Sequence, residues 1–301
     1  MQQTQTIRLF RGIGKYLVQR FPPVAYTILV AIFFLSSNVV WSRVANSSND
    51  VYTILQQCDS LYWSKGVVLW LFFLHLRIFD EFKDYLEDRW NYPDRVLSKG
   101  EISLSMLGRL GFLAVFLQIL LSWMVGIETF VAWLCAFLFS VAMRFEFGVS
   151  SFLKPRMVLY AITHNPVIAF LAVFSVAGYP DVQTVNGLYG YYILSVSLSS
   201  LAFEIARKMR QPHEEIPNVP SYTSTYGIAK TLLWYRMTIL LSTTALGYVL
   251  WVSHSQSLWA WGCLGLALVG GLSSHSKSSS KKFELAGTVF LLLSMLAMVW
   301  M

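Results

Sequence analysis

The stretch Arg77–Arg89, "RIFDEFKDYLEDR", carries the residues best suited to chemistry. It follows the apolar run "VVLWLFFLHL" without a break, and six acids then occur between Asp80 and Asp94. If one helix continues through Asp88, residues three, four and seven apart share a face. At about 100° per residue, Asp80, Glu81, Asp84, Glu87 and Asp88 fall within an arc of roughly 120°, and Arg77 lies in the same arc. Like charges at i,i+4 repel, so this face requires cations. Oxygen-rich, sulfur-free clusters suit Mg²⁺, which binds through one or two carboxylates together with substrate phosphates. A solvated interfacial face is the alternative, with Arg77–Glu81 and Lys83–Glu87 as ordinary i,i+4 pairs. The strict fourfold spacing of Asp80, Asp84 and Asp88 favours the first reading.

The elements that position these acids must lie in a membrane. The chain has 301 residues, is 55% hydrophobic and 16% aromatic, and only 13% of it is charged. Soluble domains carry about 25% charged residues. Nine segments are apolar over about the length of a span: 24–42, 63–80, 103–125, 128–147, 157–178, 187–206, 229–252, 257–273 and 283–301. No soluble domain fits between them, so residues 1–301 are expected to form a single transmembrane domain. The first run has no small-residue cleavage site after it and reads as a retained span.

The loops then set an orientation. Arg8, Arg11, Lys15 and Arg20 precede the first span; Lys83, Arg89, Arg95 and Lys99 follow the second. Arg144, Lys154 and Arg156 lie between four and five, Arg207, Lys208 and Arg210 between six and seven, and Lys277, Lys281 and Lys282 between eight and nine. The opposite loops hold only Arg43 and Lys65. This alternation predicts a cytoplasmic N-terminus and a C-terminus on the far side. The net charge of +7 then reflects cytoplasmic loops rather than nucleic-acid binding. Acids gather on that same side: the group from Asp80 to Asp88, and Glu204, Glu214 and Glu215. Cys58, Cys135 and Cys263 have no metal or redox spacing and are expected to be buried thiols.

At this point the motifs resemble a known family. Asp80-Glu81-x-x-Asp84-x-x-x-Asp88, followed by "RWNYPDRVLSKGEIS" with Pro93, Arg95 and Gly100 in register, is similar to the first aspartate motif of the UbiA superfamily of intramembrane prenyltransferases. "FLKPRMVLYAITHNP" (152–166) resembles that family's basic approach to helix five, and "SYTSTYG" (221–227) the segment closing its second motif loop. The resemblance implies an all-α integral membrane protein, a bundle of nine transmembrane helices around a central cavity opening to the cytoplasmic side. Its motif loops would lie at about 77–102 and 204–228. It implies cleavage of a prenyl diphosphate, with Mg²⁺ held by Asp80, Glu81, Asp84, Asp88 and Glu204. Asp80, Asp84, Asp88 and Lys208 would act in catalysis, and Arg77, Lys154, Arg156, Arg207 and Arg210 would bind the diphosphate.

The second motif departs from the family pattern. "FEIARKMRQPHEEIP" (203–217) keeps Glu204, but Lys208 stands four residues on where an aspartate is usual. Either Arg207, Lys208 and Arg210 replace part of a second metal site, since guanidinium and ammonium groups bind phosphate directly, or Glu204 and Lys208 form an i,i+4 pair. His164 and Asn165, before Pro166, are pocket candidates or a satisfied kink. Arg109 and Arg236 are placed to snorkel. Aromatics including Tyr191, Tyr192, Trp234 and Tyr235 have faces that stabilise a carbocation, though most belong to core or lipid-facing positions. Residues 273–282, "SSHSKSSSKK", read as a flexible loop.

Three functions follow: transfer of the prenyl group to an aromatic or lipid acceptor, terpene cyclisation without an acceptor, or non-catalytic lipid binding or transport. The expected partners are prenyl diphosphate, an acceptor and membrane lipid, with no obligate protein partner.

Overall fold

A computed structural model describes residues 2–46, 60–178 and 187–301. Cys58 and most of the 178–187 loop lie outside these residues. Every apolar segment is helical, and the termini agree with expectation to within four residues. In a bilayer the backbone must satisfy its own hydrogen bonds, so a long apolar segment has little choice but a helix. The helices are α1 (Gln2–Arg20), α2 (Pro23–Asn46), α3 (Ser60–Lys83), α4 (Tyr85–Asn91), α5 (Leu104–Val125), α6 (Ile127–Arg144), α7 (Ser150–Leu153), α8 (Met157–His164), α9 (Val167–Val176), α10 (Gly187–Arg207), α11 (Tyr222–Tyr226), α12 (Ile228–Val252), α13 (Leu258–Leu272) and α14 (Ser280–Val299).

Among the described residues, seven stretches are long and apolar enough to cross a membrane: those of α2, α3, α5, α6, α8 with α9, α10 and α14. The protein is therefore a multi-pass membrane protein. Helix α12 carries Lys230 and Arg236, and α13 has only 15 residues, short of a full span. Large apolar side chains such as Phe112, Trp123 and Leu258 are exposed, as lipid-facing residues must be.

Two buried polar ladders tie the bundle together. In one half His75 contacts Ser140 Oγ through Nε2 (3.1 Å) and the Gln118 side chain through Nδ1 (3.2 Å), while Trp133 Nε1 donates to Gln118 Oε1 (3.0 Å). This chain locks α3, α5 and α6. In the other half Ser242 Oγ meets both Ser195 and Ser199 Oγ at 2.8 Å, and Ser199 meets Ser294 at 3.2 Å, joining α10, α12 and α14. Small residues let membrane helices approach closely. At Gly287 a Cβ would stand 2.7 Å from Ala206 Cβ and 3.3 Å from Phe203 Cα, so the glycine sets how near α14 comes to the inner end of α10.

Helix α1 has no counterpart among the expected spans. It lies against the loop after α4: Gln19 Oε1 accepts from Val96 N (2.8 Å), Lys15 pairs with Glu101, and Tyr16 is fully buried. Gly12 permits this seat, because a Cβ there would fall 2.7 Å from the Glu101 carbonyl oxygen. The expectation of buried thiols fails at Cys135, which is exposed, and Cys263 is partly buried. A polarizable thiol on an apolar membrane helix needs no cover from lipid.

Candidate functional site

The acidic stretch is not one straight helix. Helix α3 stops at Lys83 and α4 starts at Tyr85, with Asp84 between them at φ −100°, ψ 8°. The i→i+4 ladder survives the bend, since Asp84 N donates to Asp80 O (2.9 Å) and Asp88 N to Asp84 O (2.8 Å). The bend divides the expected single face. Glu81 turns inward and is 2% exposed, whereas Glu87 swings out to Lys154 (3.2 Å).

Each inward carboxylate but one has cationic partners. Glu81 Oε1 accepts from Arg20 Nε (2.7 Å), Arg77 Nη2 (2.8 Å) and Arg77 Nε (3.3 Å). Asp88 pairs closely with Arg95 and lies 3.6 Å from Arg20. Arg95 is itself stacked on the Tyr92 ring at 3.6 Å. Asp80, the most exposed of the set, has looser partners in Lys83 (3.4 Å) and Arg77 (3.7 Å). Asp84 makes no ion pair among the described residues. Burial, helped by the charges of Asp80, Asp88 and Glu87 and opposed by Lys83, pushes its carboxyl up to about 6. The Lys15 ammonium holds Glu101 below the ordinary carboxylate range.

At the second motif Glu204 pairs with Arg207 (2.6 Å) and Lys208 (2.8 Å), so the i,i+4 alternative drawn from spacing is the contact formed. Arg210 is fixed through its backbone N–H, which donates to Thr223 Oγ1 (2.9 Å). Glu214 and Glu215 serve the loop. Glu214 accepts from Gln211 N (3.1 Å) and Ser280 N (2.8 Å). Glu215 accepts from Ser221 (2.6 Å) and Thr223 (3.1 Å). The backbone N–H of Gln211 holds Glu214 below its usual range.

The two motifs lie within electrostatic reach of one another. The charge of Asp80 reaches Arg207, and both act on Tyr26. The C-terminal ends of α3 and α10 therefore share one end of the bundle. Lys83 Nζ also bonds Tyr160 Oη (2.5 Å), and the Tyr160 ring stacks on His164 at 3.9 Å. His164 Nδ1 is used by the Tyr160 carbonyl (2.8 Å), while its Nε2 is buried without a partner. Asn165 acts as the satisfied kink, its Nδ2 donating to Ser197 O (2.9 Å). Arg156 does not join the acids; it turns back to Phe152 O (2.7 Å) and over the Phe152 ring. Arg236 reaches the inner loop at Ser274 O (3.1 Å), as snorkelling predicts, and Arg109 is exposed.

An apolar cavity of about 220 Å³ flanks the second motif, lined by Val158, Ala161 and Ile162 of α8, Leu201 and Ile205 of α10, Tyr222 of α11 and Trp234 and Met237 of α12. Its rim residues Ile162 and Met237 are about half exposed, so the cavity opens on the lipid-facing flank.

The residues as arranged do not fit the Mg²⁺ that the resemblance implies. Among the described residues no three His, Cys, Asp or Glu side chains converge as a metal site. Glu81, the deepest carboxylate, is already enclosed by two guanidinium groups.

Arg20, Lys83 and Tyr160 are the site residues that sequence reasoning missed. Arg20 was legible only as a topology-setting charge, and it lies 61 positions from its partner Glu81.

Fold and site together describe a helical membrane bundle with two charged motifs at one end. The fold is one also found in a solved membrane synthase. A solved digeranylgeranylglyceryl phosphate synthase shares it with a TM-score of 0.61 at 16% identity, over 96% of this chain and 98% of that one. No protein-family model and no curated protein matches the sequence.

Proposed function

We propose that this protein is an intramembrane prenyltransferase that cleaves a polyprenyl diphosphate and passes the prenyl group to an acceptor, a transfer of an alkyl group other than methyl. The observation that carries this reading is the meeting of two charged motifs beside an apolar cavity, in a fold shared with a prenyltransferase. The orientation proposed with it, N-terminus cytoplasmic, rests on the Lys and Arg distribution.

In the reaction, the bond from the allylic carbon to the diphosphate oxygen breaks and its electron pair leaves with the diphosphate. The acceptor's nucleophilic atom then supplies a pair to that carbon and loses a proton. The leaving charge is the main barrier, and preorganised cations lower it. Arg77 Nη1 and Lys83 Nζ reach Asp80 only at 3.7 and 3.4 Å, and these donors turn to an incoming anion while Arg77 keeps its bonds to Glu81 and Lys83 its bond to Tyr160. Arg207 and Lys208, paired with Glu204, supply cations from the second motif, and Lys154, paired with Glu87, supplies one from the approach to α8. Arg156 joins them only by rotating from its contact with Phe152 O. The cavity takes part of the isoprenoid chain and shields the cation from water.

Tyr222 and Trp234 in the cavity wall favour cyclisation as a second reading, because their faces stabilise a cation. The test is pyrophosphate release by purified protein given farnesyl or geranylgeranyl diphosphate, with and without phenolic or lipid acceptors, in Mg²⁺ and in EDTA. Acceptor-dependent release supports transfer. A hydrocarbon product without acceptor replaces it by cyclisation. No release under any condition refutes both and favours lipid binding or transport.

A further inference from the structure

Three of the four carboxylates of the first motif are taken by cations of the chain itself. Asp80, Glu81 and Asp88 pair with Arg20, Arg77, Lys83 and Arg95 within one cluster, and Asp84 stands between them without an ion pair among the described residues. We propose that this motif is self-neutralised: it holds no divalent ion, and it offers a diphosphate the donors of its own arginines and lysine. The second half of the statement rests on the prenyl diphosphate reading given above; the first half stands on the contacts alone.

Three features make the arrangement a built one. First, the partners come from different elements. Arg77 and Lys83 belong to α3 and Arg95 to the loop after α4, while Arg20 is delivered by α1. Second, α1 is fastened so that Arg20 reaches its target. Lys15 pairs with Glu101, Gln19 receives Val96 N at 2.8 Å, and the missing side chain at Gly12 lets the helix sit on the Glu101 carbonyl. Third, the most buried acid has the most donors. Glu81, 2% exposed, accepts three hydrogen bonds from two guanidinium groups.

A divalent ion entering here would have to strip both arginines from Glu81 and strand them in a place with little water. Buried guanidinium groups without partners are strongly unfavourable. Arginine also presents donors in a fork that suits phosphate oxygens, so it can do directly what a carboxylate-bound metal would do by bridging. The gradient of pairing points the same way. Contacts are tight at Glu81 and Asp88 and loosest at half-exposed Asp80. An arriving anion meets guanidinium and ammonium groups already gathered in one cluster, whose longest-range contacts, those to Asp80, are the first to be exchanged.

The experiment measures Mn²⁺ binding by electron paramagnetic resonance, using the full-length protein in lipid nanodiscs. Binding of farnesyl thiodiphosphate, an analogue that resists cleavage, is measured by calorimetry in Mg²⁺ and in EDTA. The wild type is expected to bind no Mn²⁺ in the absence of the analogue. The analogue's Kd in EDTA should stay within about threefold of its value in Mg²⁺. Arg20→Gln takes one cation from each of Glu81 and Asp88, so that variant should gain a Mn²⁺ signal, and adding Glu81→Gln should remove it again. Stoichiometric Mn²⁺ binding by the wild type, lost in Asp84→Asn or Asp88→Asn, would overturn the proposal. So would a tenfold or greater loss of analogue binding in EDTA. If Arg20→Gln does not fold, the wild-type measurements decide alone. If the analogue binds under neither condition, the prenyl diphosphate reading fails, while the Mn²⁺ result still decides whether the motif is self-neutralised.

Discussion

Asp84 is the carboxylate that the ion-pair cluster leaves out, and its consequence for stability can be worked through. Its carboxyl rises from 3.8 to about 6, mainly because it is buried, with three neighbouring acids adding to the effect and Lys83 opposing it. The difference, 6 − 3.8 = 2.2 pKa units, corresponds at 1.36 kcal/mol per unit to roughly 3 kcal/mol. Residual solvent screening of a partly buried group brings this to about 2 kcal/mol. The sign follows from proton linkage. Between pH 3.8 and about 6 the folded protein binds the Asp84 proton more tightly than the unfolded chain. Stability therefore falls as pH rises through that window, and above it the full cost of a buried charge is present. Asp84→Asn removes the charge at nearly constant shape. At pH 7.5 the variant should be more stable than wild type by about 2 kcal/mol, and the difference should shrink to near zero by about pH 4. SDS-induced unfolding in mixed micelles at three pH values reads this directly. A variant less stable than wild type at pH 7.5, or a difference that does not change with pH, refutes the account of the site's electrostatics. The same variant tests the reaction: wild-type turnover in Asp84→Asn refutes any part for this residue in catalysis.

Other outcomes follow from particular contacts. Arg20→Gln and Glu81→Gln, each alone, should lose about 2 kcal/mol, the worth of a hydrogen bond between charged groups. The double variant should recover much of that; a double-mutant coupling below about 0.5 kcal/mol would show the pair to be idle. Gly287→Ala drives a methyl into Ala206 and the Phe203 backbone, so it should destabilise by about 1–3 kcal/mol and lower pyrophosphate release by displacing α10; unchanged unfolding and release would contradict that packing. Ala161→Phe fills the flank cavity and should depress turnover of geranylgeranyl diphosphate more than that of farnesyl diphosphate, and equal loss with both would separate the cavity from chain binding.

The bundle was legible in the sequence because a bilayer removes alternatives. Segments such as 103–125 and 187–206 are apolar over the length of a span, and helices were the only element open to them. The break at Pro166 was legible as well, since proline lacks the donor that the ladder needs. The bend at Asp84 was not. No proline or glycine marks it, and it leaves the i→i+4 bonds in place, so spacing alone drew a continuous face. Helix α1 was hidden for a related reason: it is not apolar enough to read as a span, and its value lies in what it touches.

Taken alone, the sequence determined that this is a helical membrane protein, that its lysines and arginines alternate between rich and poor connecting segments, and that Asp80, Glu81, Asp84 and Asp88 recur at helical spacing. These are properties of composition and period, which survive without knowledge of contacts. Only the tertiary structure decided which cation meets which acid. Arg20 and Glu81 are distant along the chain and carry no mutual signal in their spacing, yet they lie 2.7 Å apart. Charge attraction has no sequence register, so its partners are set by how α1, α3 and the loop after α4 pack.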